Sequence, residues 1–268
     1  MKNAPLFDAH NHLHDARLLP WRADFLAELP ALGVRRAVVN GTREDDWPAV
    51  AALAAQVPWV LPSFGLHPWH VNGRSAAWRE TLVNFLDAHP GAGVGEIGLD
   101  RWIEGYDIAA QAECFRAQLA IAAERNLPAT IHCIRAWGAL WDIIREGTVP
   151  ARGFLLHAYG GPAEMVRGFL NCGANFSFSP SFLHERKSVQ REIFRTLPAE
   201  RILVETDAPD LAPPPEQNPR PIADENGKPL NHPANIVLAY DALAKIRVTT
   251  CDELASVVEK NFARLFQP

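Results

Sequence analysis

Leu6-Phe7-Asp8-Ala9-His10-Asn11-His12 is an apolar start that runs into Asp-x-His-x-His. Side chains of a strand alternate between its two faces, so Asp8, His10 and His12 share one face. Two imidazoles fixed on one rigid face can chelate a single ion without ordering a loop. The same pair also reads as two hydrogen-bonded histidines, and this stretch alone does not separate the readings. The rest of the chain does. Short apolar runs recur at 6–8, 36–40, 59–64, 92–97, 128–132, 153–157, 174–179 and 201–205. Between them, segments such as 45–56, 76–88, 108–125, 136–145, 163–171 and 185–197 carry apolar residues at helical spacing. Eight such alternations predict an α/β fold, a closed (β/α)8 TIM barrel in a single domain over residues 1–268. No Gly-x-Gly-x-x-Gly follows the first run, which weighs against an open dinucleotide-binding sheet.

The rhythm breaks over residues 212–230, where Ala-Pro-Pro-Pro-Glu-Gln-Asn-Pro-Arg-Pro precedes Glu225-Asn226-Gly227-Lys228-Pro229. Proline at this density forbids a regular helix or a central strand. The segment 208–231 follows the eighth run, so in a barrel it is expected to cover the catalytic mouth and touch substrate. Asn231-His232-Pro233 then starts the last helical region, which closes over 254–266.

A chain of 268 residues with 48% hydrophobic and 21% charged content can bury a large core. Its net charge of −5 weighs against a broad basic surface for nucleic acid, though not against a small site for one strand end. Cys114, Cys133, Cys172 and Cys251 form no Cys-x-x-Cys pair and read as buried thiols in a reducing cytoplasm. Cys133 follows His132, but strand parity turns it to the other face. Residues 1–5 lead straight into the first strand without the pattern of a signal peptide, and no apolar run is long enough to span a bilayer. A cytoplasmic monomer with no membrane or protein partner is the expectation.

Four more polar residues sit at or just past apolar runs: Glu96 after Gly93-Val94-Gly95, His132 after Pro128-Ala129-Thr130-Ile131, His157 after Phe154-Leu155-Leu156, and Asp207 after 202–206. The C-terminal strand ends of a (β/α)8 barrel converge on one mouth, so residues distant in sequence meet there. Four imidazoles and two or three carboxylates are too many for one tetrahedral ion. They suit two divalent ions with one carboxylate between them, and burying them without cations would be costly.

On these residues the chain resembles the TatD family of metal-dependent hydrolases, an amidohydrolase-like branch of barrels. The matching stretches are Phe-Asp-Ala-His-Asn-His (7–12), Gly-Leu-His-Pro (65–68), Gly-Glu-Ile-Gly-Leu-Asp (95–100), Ile-His-Cys (131–133), Leu-His-Ala-Tyr-Gly-Gly (156–161), Glu-Thr-Asp-Ala-Pro-Asp-Leu-Ala-Pro (205–213) and Asn-His-Pro (231–233). The resemblance implies that His10, His12, Glu96 and Asp207 hold one metal, and that Glu96 bridges to a second held by His132 and His157. Glu96 then stands where other amidohydrolase branches carry a carbamylated lysine. It further implies phosphodiesterase chemistry, often removal of nucleotides from DNA ends. Glu205, of the same parity as Asp207, resembles a glutamate that supports a third metal in some members; it reads equally as a hydrogen-bond acceptor behind the ligands. Two positions depart from the family pattern. Ile134 stands where many relatives have an arginine, with Arg135 next, and His232 stands where an acidic residue often precedes Pro233.

The chemistry of the residues agrees with that implication. Water on two cations loses a proton near neutral pH, Asp207 is placed to accept it, and a cation polarises the phosphoryl oxygen. His67 is a candidate for contact with phosphate or leaving group. Arg135 is a candidate phosphate clamp or a cap of the next helix, and Tyr159 and Trp69 are candidates for stacking a base. Imidazole-rich sites favour zinc in the isolated protein, with magnesium or manganese as the alternatives in the cell. Hydrolysis of a small amide, ester or phosphoester is the alternative activity, because loops rather than ligands choose the substrate. A basic patch near residues 135, 186–187 and 220 would favour the nuclease; a closed apolar pocket would favour the small molecule. A non-catalytic scaffold is the third reading, disfavoured because the whole ligand set is present.

Overall fold

A computed structural model describes residues 4–267; Met1–Asn3, part of the lead read as no signal peptide, and Pro268 lie outside the described residues. All eight expected runs are strands: β1 (Leu6–Asn11), β2 (Val34–Asn40), β3 (Val60–Phe64), β4 (Gly93–Asp100), β5 (Ala129–Ile134), β6 (Phe154–Leu156), β7 (Ala174–Phe178) and β8 (Ile202–Val204). They belong to one sheet in chain order, the topology of the (β/α)8 class. The helices are α1 (Arg22–Ala31), α2 (Trp47–Gln56), α3 (Trp78–Ala88), α4 (Ile108–Glu124), α5 (Trp137–Glu146), α6 (Val166–Asn171), α7 (Ser188–Thr196), α8 (Ile236–Arg247) and α9 (Cys251–Phe266).

Several boundaries differ from the sequence reading. β1 runs on to Asn11 and β4 to Asp100. Every residue of both strands is buried, so polar residues on the inner face continue the strand where periodicity alone suggested that it ends. The helix α1 has no counterpart in the sequence reading; its buried residues are Phe25 and Leu29, too few to mark a period. The segments expected over 163–171 and 185–197 open as short 3-10 turns before α6 and α7. In the proline-rich stretch, β9 (Ile222–Ala223) and β10 (Pro229–Leu230) form a two-residue antiparallel pair.

The chain divides into two compact units. One comprises residues 4–39 and Phe176–Ala263. Here β1 pairs with β2, Asp8 opposite Ala37, and β7 pairs with β8, Phe176 opposite Ile202. The Phe7 and Phe262 rings pack at 5.0 Å. The buried Tyr240 hydroxyl accepts from Phe7 N at 3.0 Å and donates to Phe7 O at 3.2 Å, anchoring α8 on β1.

The other unit comprises Asn40–Asn175 and residues 264–267. Asp107 caps α4, its carboxylate accepting from Ala109 N and Ala110 N at 3.0 Å each. The buried face of α4 is Cys114, Phe115, Leu119, Ile121 and Ala122, interrupted by Gln111 and Gln118. Both glutamines clamp backbone. Gln118 accepts from Leu66 N at 2.7 Å and donates to Leu66 O at 3.2 Å. Gln111 accepts from Asp100 N at 2.8 Å and donates to Asp100 O at 2.9 Å. Where β4 lies against β5, Gly98 is opposite His132 with φ +144, and a Cβ there would stand 2.0 Å from His132 O. Only glycine permits that approach.

Candidate metal centre

In the first unit the end of β8 is zipped to β1. Asp207 N donates to His10 O at 2.9 Å, and His12 N donates to Ala208 O at 2.7 Å. The Asp8 carboxylate accepts from Thr206 N at 3.1 Å and Thr206 Oγ1 at 2.7 Å. Burial pushes Asp8 up to about 7, against the pull of those bonds. Asn231 Nδ2 donates to Thr206 O at 2.7 Å, which ties the end of the long loop to the same segment. The zipper fixes three side chains. His10 Nε2 lies 3.1 Å and His12 Nε2 3.5 Å from Asp207 Oδ1. The two imidazoles meet edge to face at 4.9 Å, so the shared parity of His10 and His12 read from the sequence is realised. Asp207 adopts φ +57, a conformation that non-glycine residues seldom hold unless their surroundings impose it.

In the second unit three imidazole nitrogens converge on one oxygen. Glu96 Oε1 lies 2.9 Å from His132 Nδ1, 2.9 Å from His157 Nε2 and 3.4 Å from His67 Nε2. Each of the four residues is buried. Protonation follows from the outer partners. His132 Nε2 donates to Asp100 Oδ2 at 2.9 Å, so in the neutral ring Nδ1 carries a lone pair. That lone pair faces Glu96 Oε1, and it faces His157 Nε2 at 3.2 Å. Acceptors turned toward one another at this distance need a proton or a cation between them, and the nitrogen–oxygen donor set fits a divalent metal. Burial lowers the His132 pKa, but bonds to Asp100 and Glu96 outweigh it and raise the pKa overall. His67 differs. Its Nδ1 accepts from Trp69 N at 3.2 Å, which leaves the proton on Nε2, and burial brings its pKa down to about 4. It is a neutral donor to Glu96 near pH 7. His67, Glu96 and His132 nevertheless offer ligand atoms within 4.8 Å of one another.

A model of the family described as TatD related DNase matches residues 7–267.

The chain belongs to this family.

Membership makes it a metal-dependent hydrolase of ester bonds. Among TatD relatives, the Bacillus subtilis protein named uncharacterized metal-dependent hydrolase YabD is 27% identical over 266 residues, 98% of this chain and 99% of its own. A protein of Erwinia tasmaniensis named 3'-5' ssDNA/RNA exonuclease TatD is 28% identical over 97% of this chain and 99% of its own. The crystal structure of the TatD homologue YjjV from Escherichia coli superposes with a TM-score of 0.88 at 25% identity, covering 98% of each chain. That likeness fixes the (β/α)8 barrel class for this TatD-family chain.

Other candidate residues fare unequally. Tyr159 cannot stack a base, because it is fully buried, packs on Trp137 at 4.5 Å and donates its hydroxyl to Pro162 O at 2.8 Å. Arg135 does not cap α5, whose first turn has no side-chain cap; its guanidinium lies 4.1 Å over the Trp102 ring. Arg220, counted toward a basic patch, is paired with Glu28. Glu205 is buried and accepts from Ser177 Oγ. Asp100, Gln111 and Gln118 were not singled out by sequence. A signal existed for each: Asp100 shares strand parity with Glu96, and the glutamines interrupt one apolar helix face seven residues apart.

Proposed function

We propose that this chain is a divalent-metal phosphodiesterase that removes nucleotides from the ends of single-stranded nucleic acid. The observation that carries the reading is the convergence of His132 Nδ1 and His157 Nε2 on Glu96 Oε1. The activity in the Erwinia relative's name supports the substrate class. In this reading the whole chain, 1–268, serves as one catalytic domain, with the 208–231 loop closing over substrate.

His10, His12 and Asp207 would hold one ion, and Glu96, His132 and His157 a second. Zinc is the ion that this imidazole-rich set favours, with magnesium or manganese as alternatives, and Glu205 would steady a third ion or accept a hydrogen bond behind the ligands. Bound divalent ions supply charge that polarises the phosphoryl oxygen and acidifies water. The chain supplies the rest. Asp207 accepts the proton of the attacking water at its carboxylate. Asp100 holds His132 in one tautomer. His67, neutral near pH 7, would donate a hydrogen bond to a phosphate oxygen rather than transfer a proton to the leaving group. Among the described residues no helix is long and apolar enough to cross a membrane, and the four cysteines are free thiols. Free thiols suit a reducing compartment such as the cytoplasm, where we place the chain as a monomer.

The test is release of nucleotides from end-labelled single-stranded DNA by protein stripped of metal and reloaded with magnesium, manganese or zinc. Metal-dependent release that Asp207→Asn abolishes supports the proposal. Tight metal binding without release under any ion would overturn it in favour of small esters, amides or phosphoesters.

A further inference from the structure

Among the described residues, the exposed large aromatic side chains are Trp69 at 50%, Trp102 at 61% and Tyr106 at 42%. All three follow β3 or β4 in the second unit. Scattered exposed apolar residues are ordinary, but Trp69 and Trp102 are both tied to one buried carboxylate. Asp100 Oδ2 accepts from Trp69 Nε1 at 2.7 Å, and Asp100 Oδ1 accepts from Trp102 N at 2.5 Å. Asp100 is fully buried, its backbone is clamped by Gln111, and the same Oδ2 accepts from His132 Nε2 at 2.9 Å. One carboxylate therefore holds the Trp69 indole and the Trp102 backbone beside a proposed metal ligand. The exposed Arg135 guanidinium lies over the Trp102 ring, 4.1 Å from its centroid.

We infer that Trp69, Trp102 and Arg135 form a subsite for an unpaired base of a single strand, adjoining the phosphate to be cleaved. The inference rests on the nuclease reading. Indole and guanidinium planes both stack on bases, and stacking tolerates any base. Paired bases within a duplex present no free face, so the platform selects single strands. Stacking also requires no basic field, which suits a chain of net charge −5. The shared carboxylate then sets the distance between the stacked base and the centre that holds His132.

Binding tests this without turnover. A fluorescein-labelled oligothymidine and the same strand stripped of its bases are titrated into metal-free protein in chelator, with anisotropy as the readout. The wild type is expected to bind the intact strand about tenfold tighter than the abasic one. Trp102→Ala should lose about tenfold on the intact strand and nothing on the abasic strand. Arg135→Ala should lose a few-fold. Val248→Ala, at a residue 92% exposed, should match the wild type. Trp102 is exposed enough for its removal to leave the fold intact. Equal affinity for the two strands, no binding of either, or a wild-type constant for Trp102→Ala would each overturn the subsite. Metal-reloaded wild type keeps the two proposals apart. Base-dependent binding without cleavage overturns the nuclease and spares the platform; cleavage with base-independent binding does the reverse.

Discussion

Asp207 combines an unfavourable backbone with a central place in the proposed chemistry. Its left-handed φ costs on the order of 1–3 kcal/mol. The bonds from Asp207 N to His10 O and from Asp210 N to Asp207 O, at 2.7 Å for the latter, hold it there. Asparagine tolerates that conformation well, so Asp207→Asn should keep the wild-type circular dichroism while kcat falls by about 10²–10⁴-fold. A variant with wild-type kcat would remove Asp207 from the proton transfer. Asp100 acts one bond further out. Burial opposes its ionisation, but His132, Trp102 and Trp69 together hold its carboxyl below the usual range. Asp100→Asn replaces a charged acceptor of His132 Nε2–H by a neutral one. Metal affinity, followed by competition with a chromogenic chelator, should drop about 10–100-fold.

At the scale of elements, α4 fixes the backbone beside His67 and at Asp100. Gln118 satisfies both backbone groups of Leu66, next to His67, and Gln111 satisfies both of Asp100. Gln118→Leu would keep the side-chain volume and leave Leu66 N and O buried without those partners. The expected loss is about 2 kcal/mol in urea unfolding. Turnover should fall as well, because the position of His67 is no longer imposed. Unchanged stability would mean that the two bonds are replaced by others.

For the whole molecule, metal binding and folding are linked. An ion at about one hundred times its dissociation constant adds about 2.7 kcal/mol to stability, so stripping it should lower Tm by several degrees in differential scanning calorimetry. The same Tm with and without metal would contradict a preformed centre. The charge balance, 26 basic against 31 acidic residues, makes a second prediction. If only about two phosphates are engaged, log K for a single strand should fall against log salt with a slope of about −1.4. A much steeper slope would reveal a broad cationic track.

The residues proposed as ligands could be picked out of the sequence because strand parity and the ends of apolar runs are local properties. His10 and His12 share a face in any strand that contains both, and eight strand–helix alternations leave few topologies. The partners of those ligands were not legible. That Asp100 serves His132, that Gln118 closes on Leu66, that Tyr159 is buried against Trp137 and that Arg135 lies on Trp102 depend on the register between strands and on the rotation of helices about their axes. Local sequence constrains neither. The sequence by itself determined which groups this chain has for metal chemistry and the order of the elements that carry them. Only the tertiary structure decided which nitrogen of His132 keeps its proton and what holds the Trp69 indole, because Asp100, the partner of both, lies about thirty residues away along the chain.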